Sequence, residues 1–120
     1  MTEETLFTKI GGQVKADKIA DLVLDKACDD PRLCNRFAGK DMPHIREQVK
    51  LCLSHLCKND PLPSDLDLAR VHQGLGITPE EFDLVVSFFD KMTWEVGCTQ
   101  DESSQVAALI NSLRDSVIRK

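Results

Sequence analysis

The stretch Leu66-Asp67-Leu68-Ala69-Arg70-Val71-His72-Gln73-Gly74-Leu75-Gly76-Ile77, followed by Thr78-Pro79-Glu80-Glu81-Phe82-Asp83, decides how this chain is read. A short helix carries one His near its end, and a Gly-rich stop follows it. The next helix opens at a Thr cap, with Pro at its first position and two acids in its first turn. An isolated imidazole beside a helix break is an ordinary surface or core feature. The rest of the chain gives it its meaning.

The sequence has 120 residues, enough for one domain spanning residues 1–120. A chain of this length buries about two thirds of the surface that its unfolded form exposes, so it can hold a real core. Five Phe, one Trp and no Tyr form a lean aromatic set within a 42% hydrophobic composition. A net charge of −5 and a pI near 5.1 argue against a nucleic-acid partner, which needs a basic face. No apolar run approaches the ~18 residues of a membrane span. The opening Met1-Thr2-Glu3-Glu4-Thr5 is polar and acidic, unlike a secretory signal, and predicts a cytoplasmic protein without a membrane partner. Cys28, Cys34, Cys52, Cys57 and Cys98 are an odd number of thiols without CxxC spacing. They read as reduced, structural cysteines rather than a zinc site.

The patterning is helical throughout, and the fold class is all-α. Ile19, Leu22, Val23 and Ala27 recur at helical spacing, predicting a helix from about Lys15 to Cys28. Gly11-Gly12 separates it from a short leading helix over Leu6 to Ile10, and Asp29-Asp30-Pro31 stops it. Asp41-Met42-Pro43 opens the next helix, with an apolar stripe of Ile45, Val49, Cys52, Leu53 and Leu56. A loop over Lys58 to Ser64 leads to the His72 helix. Further helices run from Pro79 to about Glu95 and from about Glu102 to Ile118. Ser103-Ser104 suits capping of the last one, and Arg119-Lys120 suits its dipole.

Several blocks together resemble the group I truncated globins, small haem proteins built as a two-over-two helical sandwich. Leu6-Phe7-Thr8-Lys9-Ile10-Gly11-Gly12 is similar to the family's opening. Asp30-Pro31-Arg32-Leu33, Phe37 and Asp41-Met42 resemble the segment that folds under the haem edge. Val71-His72-Gln73-Gly74-Leu75 is like the proximal run, and Phe82-Asp83-Leu84-Val85-Val86 like the start of the following helix. Val106-Ala107-Ala108 and Leu113-Arg114-Asp115-Ser116-Val117 resemble the final helix. The spacing fits without large insertions.

The resemblance implies haem b (iron protoporphyrin IX) with His72 as the proximal iron ligand. A neutral imidazole suits that role, and its second N–H would go to a carbonyl near Leu68. Phe37, Leu75, Ile77, Phe82 and Val86 are the candidate walls, with Leu24, Ile45 and Val49 on the ligand side. Each would serve equally well as ordinary core.

The departures bear on chemistry. Lys58-Asn59 replaces the family's second diglycine, so that helix end is expected to close differently. Leu24 stands where most members carry a distal Tyr, and Ile45 and Val49 where a polar contact is common. Ser112 replaces a His that in some members bonds a haem vinyl group. Bound O₂ gains partial negative charge, and a donor that holds it contributes about 1.5–3 kcal/mol. Leu24, Ile45 and Val49 offer none; Gln48 could swing in, though it reads better as a solvated rim residue. His44, Lys50 or His55 could supply an internal sixth ligand, His44 foremost. Arg46, Lys50 and Arg70 are all compatible with pairing a propionate.

The expectation is a monomer that reversibly binds the diatomic gases O₂, NO and CO, without nucleic-acid or membrane partners. Oxygen binding or transport, sensing and detoxification are not separable at this stage. Dioxygenation of NO, with a reductase returning the iron to its ferrous form, is the enzymatic alternative. A haem-free globin-like regulatory domain and a thiol sensor using Cys52 and Cys57 are the other classes.

Overall fold

A computed structural model describes residues 5–63 and 76–118. Among them all regular structure is helical: α1 (Leu6–Lys9), α2 (Gly12–Asp29), a 3₁₀ turn (Cys34–Arg36), α3 (Met42–Cys57), α4 (Pro79–Glu95), α5 (Gln100–Asn111) and α6 (Arg114–Ile118). The predicted His72 helix lies outside the described residues, as do Arg119 and Lys120.

Local chemistry explains most boundaries. Gly11 and Gly12 both take positive φ, at 114° and 76°, which lets the chain turn sharply from α1 into α2. The turn admits α2 three residues before the Lys15 start that its apolar pattern predicts. A Cβ on Gly11 would fall 2.3 Å from the Lys15 Cγ, so glycine also makes room there. Asp41 caps α3 by accepting the His44 N–H at 3.2 Å, and Pro43 occupies the first turn. Thr78 and Glu81 form a reciprocal capping box at α4, with bonds of 3.0 and 3.1 Å.

Two helix ends differ from expectation. The last long helix is capped by Thr99, paired with Glu102 in a second capping box, not by Ser103-Ser104. Ser103 points inward and is fully buried. That helix also breaks at Ser112-Leu113. The Ser112 hydroxyl donates back to the Leu109 carbonyl, and Leu113 N–H bonds Ile110 O in the tighter three-residue pattern.

The helices pack as two pairs. The α4–α5 contact is the most extensive, and α2 packs on both α3 and α4. Ala16 and Ala20 on α2 let its neighbours approach, while Ile19, Val23, Leu53, Phe88, Phe89, Met92, Val106 and Ile110 fill the core. Each large side chain fully buried contributes about 1.5–3 kcal/mol. No helix of the described residues is long and apolar enough to cross a membrane.

Candidate functional site

The apolar stripes of α3 and α4 are covered unevenly. On α3, Leu53 and Cys57 in the C-terminal half are buried at 0% and 2% exposure and Leu56 is partly so, while Ile45 and Val49 toward its start are half-buried. On α4, Phe88, Phe89 and Met92 are buried, but Leu84, Val85 and Val86 nearer its start are only partly so. Phe37, at the end of the 3₁₀ turn, and Ile77, before the Thr78 cap, are also half-buried. Leu24 and Phe82 are buried without joining the main core cluster. The N-terminal halves of both helices thus present apolar side chains that the described residues do not fully cover.

Ion pairs anchor the elements that carry these side chains. Arg46, next to Ile45, donates to Asp21 at 3.1 Å and to Asp25, which adjoins Leu24. Lys50, next to Val49, lies 3.5 Å from Asp21 and 3.9 Å from Glu47. This network fastens the start of α3 to the Asp21–Asp25 stretch of α2, and it engages two of the cations compatible with a propionate. Arg70 lies outside the described residues. On the other side, Arg36 holds Glu81 through both carboxylate oxygens, at 2.8 and 2.7 Å. The pair thus ties the turn that ends at Phe37 to the first turn of α4. The Arg36 fork holds the Glu81 carboxyl down to about 2, with the Thr78 bonds adding to the effect.

Of the candidate walls, Phe82 has the Arg114 guanidinium 5.6 Å over its ring. Val86 also lines a shallow groove between α4 and α5, of about 430 Å³, with Asp83, Ser87, Asp90 and Ser104 among its neighbours. It therefore faces α5. His72 and Leu75 lie outside the described residues. On the ligand side, Gln48 is half-buried and makes no side-chain hydrogen bond among the described residues. His44 is exposed on the first turn of α3. His55 is engaged elsewhere, its Nδ1 3.0 Å from the Pro61 carbonyl.

All five cysteines are unpaired. Burial pushes the Cys52 thiol up to about 11 and the Cys57 thiol up to about 12. Both are poor nucleophiles there, which weighs against the thiol-sensor alternative. The Arg36–Glu81 pair is the feature that reading the chain did not find, because its members lie 45 residues apart.

The residues present fit a flat apolar group. Such a group needs apolar side chains left incompletely covered, and Phe37, Ile45, Val49, Ile77 and Val86 are half-buried while the neighbouring Arg46 and Lys50 are engaged by Asp21.

Comparisons with known proteins agree. Residues 5–119 match the family described as bacterial-like globin. A group 1 truncated haemoglobin from Tetrahymena thermophila is 23% identical over 118 residues, covering 98% of each chain. The group 1 truncated haemoglobin GlbN of a Synechocystis strain is 27% identical over 109 residues, covering 88% of each. Among solved structures, the fold is similar to ferric Tetrahymena pyriformis truncated haemoglobin carrying a Gln-to-Glu change (TM-score 0.87, 22% identity, 96% of this chain and 98% of that one). It is similar also to the 2/2 haemoglobin of a Synechococcus strain, described with covalently attached haem (TM-score 0.86, 21% identity, 98% and 100%). The chain belongs to the bacterial-like globins, here in their two-over-two truncated form, a family that binds haem and small gas ligands.

Proposed function

We propose that this chain is a single-domain, monomeric, cytoplasmic globin that holds haem b through His72 and reversibly binds O₂, NO or CO in an apolar distal pocket. When bound, haem would supply an iron centre able to take up a small gas ligand. The observation that carries the proposal is the half-covered apolar surface along the starts of α3 and α4, with Leu24 buried beside it at 5% exposure.

Each side chain then has a physical task. The His72 imidazole binds metal in its neutral form. Phe37, Leu75, Ile77, Phe82 and Val86 pack against flat faces and exclude water. Leu24, Ile45 and Val49 keep the ligand side dry and donate no proton to a bound gas. An O₂ ligand loses the about 1.5–3 kcal/mol that a donor would add, whereas CO, which needs less polar help, is less affected. For that reason reversible ligand binding ranks above NO dioxygenation, which needs O₂ retained until NO arrives and a reductase afterwards.

The test is titration of the purified protein with haem, followed by gas-binding kinetics of the ferrous form. Stoichiometric uptake with rapid O₂ release and slow CO release is expected. An O₂ off-rate as slow as the CO off-rate would sink the apolar-pocket reading.

A further inference from the structure

Arg36 closes the 3₁₀ turn and immediately precedes Phe37. Its Nε and Nη2 donate to the two carboxylate oxygens of Glu81, and Nη2 also donates to the Gly76 carbonyl at 3.1 Å. Glu81 is itself fixed, since it accepts the Thr78 N–H at 3.0 Å and its own N–H donates to Thr78 Oγ1 at 3.1 Å. One guanidinium thus joins the turn that carries Phe37, the backbone four residues beyond His72, and the first turn of α4 that carries Phe82. The pair is largely sheltered, with side chains 31% and 17% exposed.

The other ion pairs do different work. Arg32 pairs with Asp30 two residues away and is 69% exposed, so it only tightens its own loop. Arg46 and Lys50 fasten α3 to α2. Among the described residues, Arg36 is the member of the 3₁₀ segment whose ion pair bridges to the chain that follows His72. A planar fork meeting a carboxylate through two bonds fixes orientation as well as distance, which an ammonium could not do.

We propose that Arg36 and Glu81 form a clasp between the two chain segments bordering the haem slot, and that they act as positioning residues for Phe37 and the stretch after His72. The inference rests on the haem-binding reading above. Haem escape needs these segments to part, and low-stability local openings set such rates. The clasp raises the cost of that opening and ties the Gly76 backbone to the turn that carries Phe37.

The experiment compares holo-protein of the native sequence with Arg36→Met, Arg36→Lys, Glu81→Gln and, as a control in the same loop, Arg32→Met. Haem transfer to excess apomyoglobin gives the loss rate, and resonance Raman of the ferrous form gives the Fe–His stretching band. Arg36→Met and Glu81→Gln should lose haem about tenfold faster or more, with a shifted or broadened Fe–His band. Arg36→Lys should fall between them and the native protein, and Arg32→Met should match it. If Arg36→Met fails to fold, the Lys and Gln variants still decide the matter. Native loss rates in the clasp variants, or an Fe–His band unmoved while only melting temperature falls, would overturn the clasp. A native protein that takes up no haem would overturn the functional reading itself, and the clasp with it.

Discussion

In the proposed reading Leu24, Ile45 and Val49 set the chemical character of the ligand side, and none of the three carries a side-chain donor. Restoring one donor should reverse the effect. Val49→Gln puts an amide on a half-buried position without overfilling a sealed core. It should slow O₂ dissociation about tenfold, as a hydrogen bond to a charged ligand predicts, and change CO release little. Stopped-flow ligand displacement measures both rates, and an unchanged O₂ off-rate would remove Val49 from the pocket. A second residue gives an independent check on packing. Ser103 is fully buried and its hydroxyl has no hydrogen-bond partner among the described residues, so Ser103→Ala should raise stability by about 1 kcal/mol in thermal unfolding. The thiols behave as buried groups too. At pH 8, far below about 11 and about 12, Cys52 and Cys57 should resist a thiol reagent in the native state and react once unfolded in urea.

Helix ends show best how local and distant physics divide the work. The Lys58-Asn59 departure does not leave α3 unfinished. Asn59 takes the left-handed conformation at φ 61°, its N–H bonds Leu56 O at 3.1 Å, and the Asp60 N–H bonds His55 O at 2.9 Å. That is a Schellman closure with Asn in the place of Gly. Asn59→Gly should therefore be neutral or slightly stabilising, and Asn59→Ala should cost about 1 kcal/mol, both read from thermal melts. Starts such as Asp41 and Thr78 were legible in the sequence because cap and partner lie within three residues. Thr99 was not, because Ser103-Ser104 offered the same hydroxyl chemistry a few residues later. Only packing, which turns Ser103 inward, separates the two. The break at Ser112 was equally hidden, since the pattern Val106, Ile110, Val117 continues across it.

At the scale of the whole molecule, periodicity placed Ile45 with Val49 on one face, and the family resemblance supplied Phe82, Val86 and the two-over-two arrangement. Neither could show that Ile45, Val49 and Val86 stay half-buried while Phe82, Leu53, Phe88 and Met92 are buried, because coverage depends on how α2, α3 and α4 meet. The Arg36–Glu81 pair is invisible for the same reason, and it predicts a pH dependence. The Glu81 carboxyl falls from 4.5 to about 2 on folding, so its contribution is present above pH 4.5 and is lost as pH drops toward about 2. Undiscounted the shift is worth about 3 kcal/mol, and solvent screening at a partly exposed pair reduces it to about 1–2. Denaturant unfolding of native protein and Glu81→Gln should show a stability gap above pH 5 that closes in acid. The central claim, His72 as the proximal ligand of a haem held against these apolar faces, is tested most directly by absorption spectra. Ferric and dithionite-reduced forms of the native protein should be recorded beside His72→Ala. The account predicts a Soret band and a broad high-spin ferrous spectrum, lost or altered in the variant. Sharp low-spin ferrous bands would contradict the open distal site, and a native spectrum in His72→Ala would contradict the ligand.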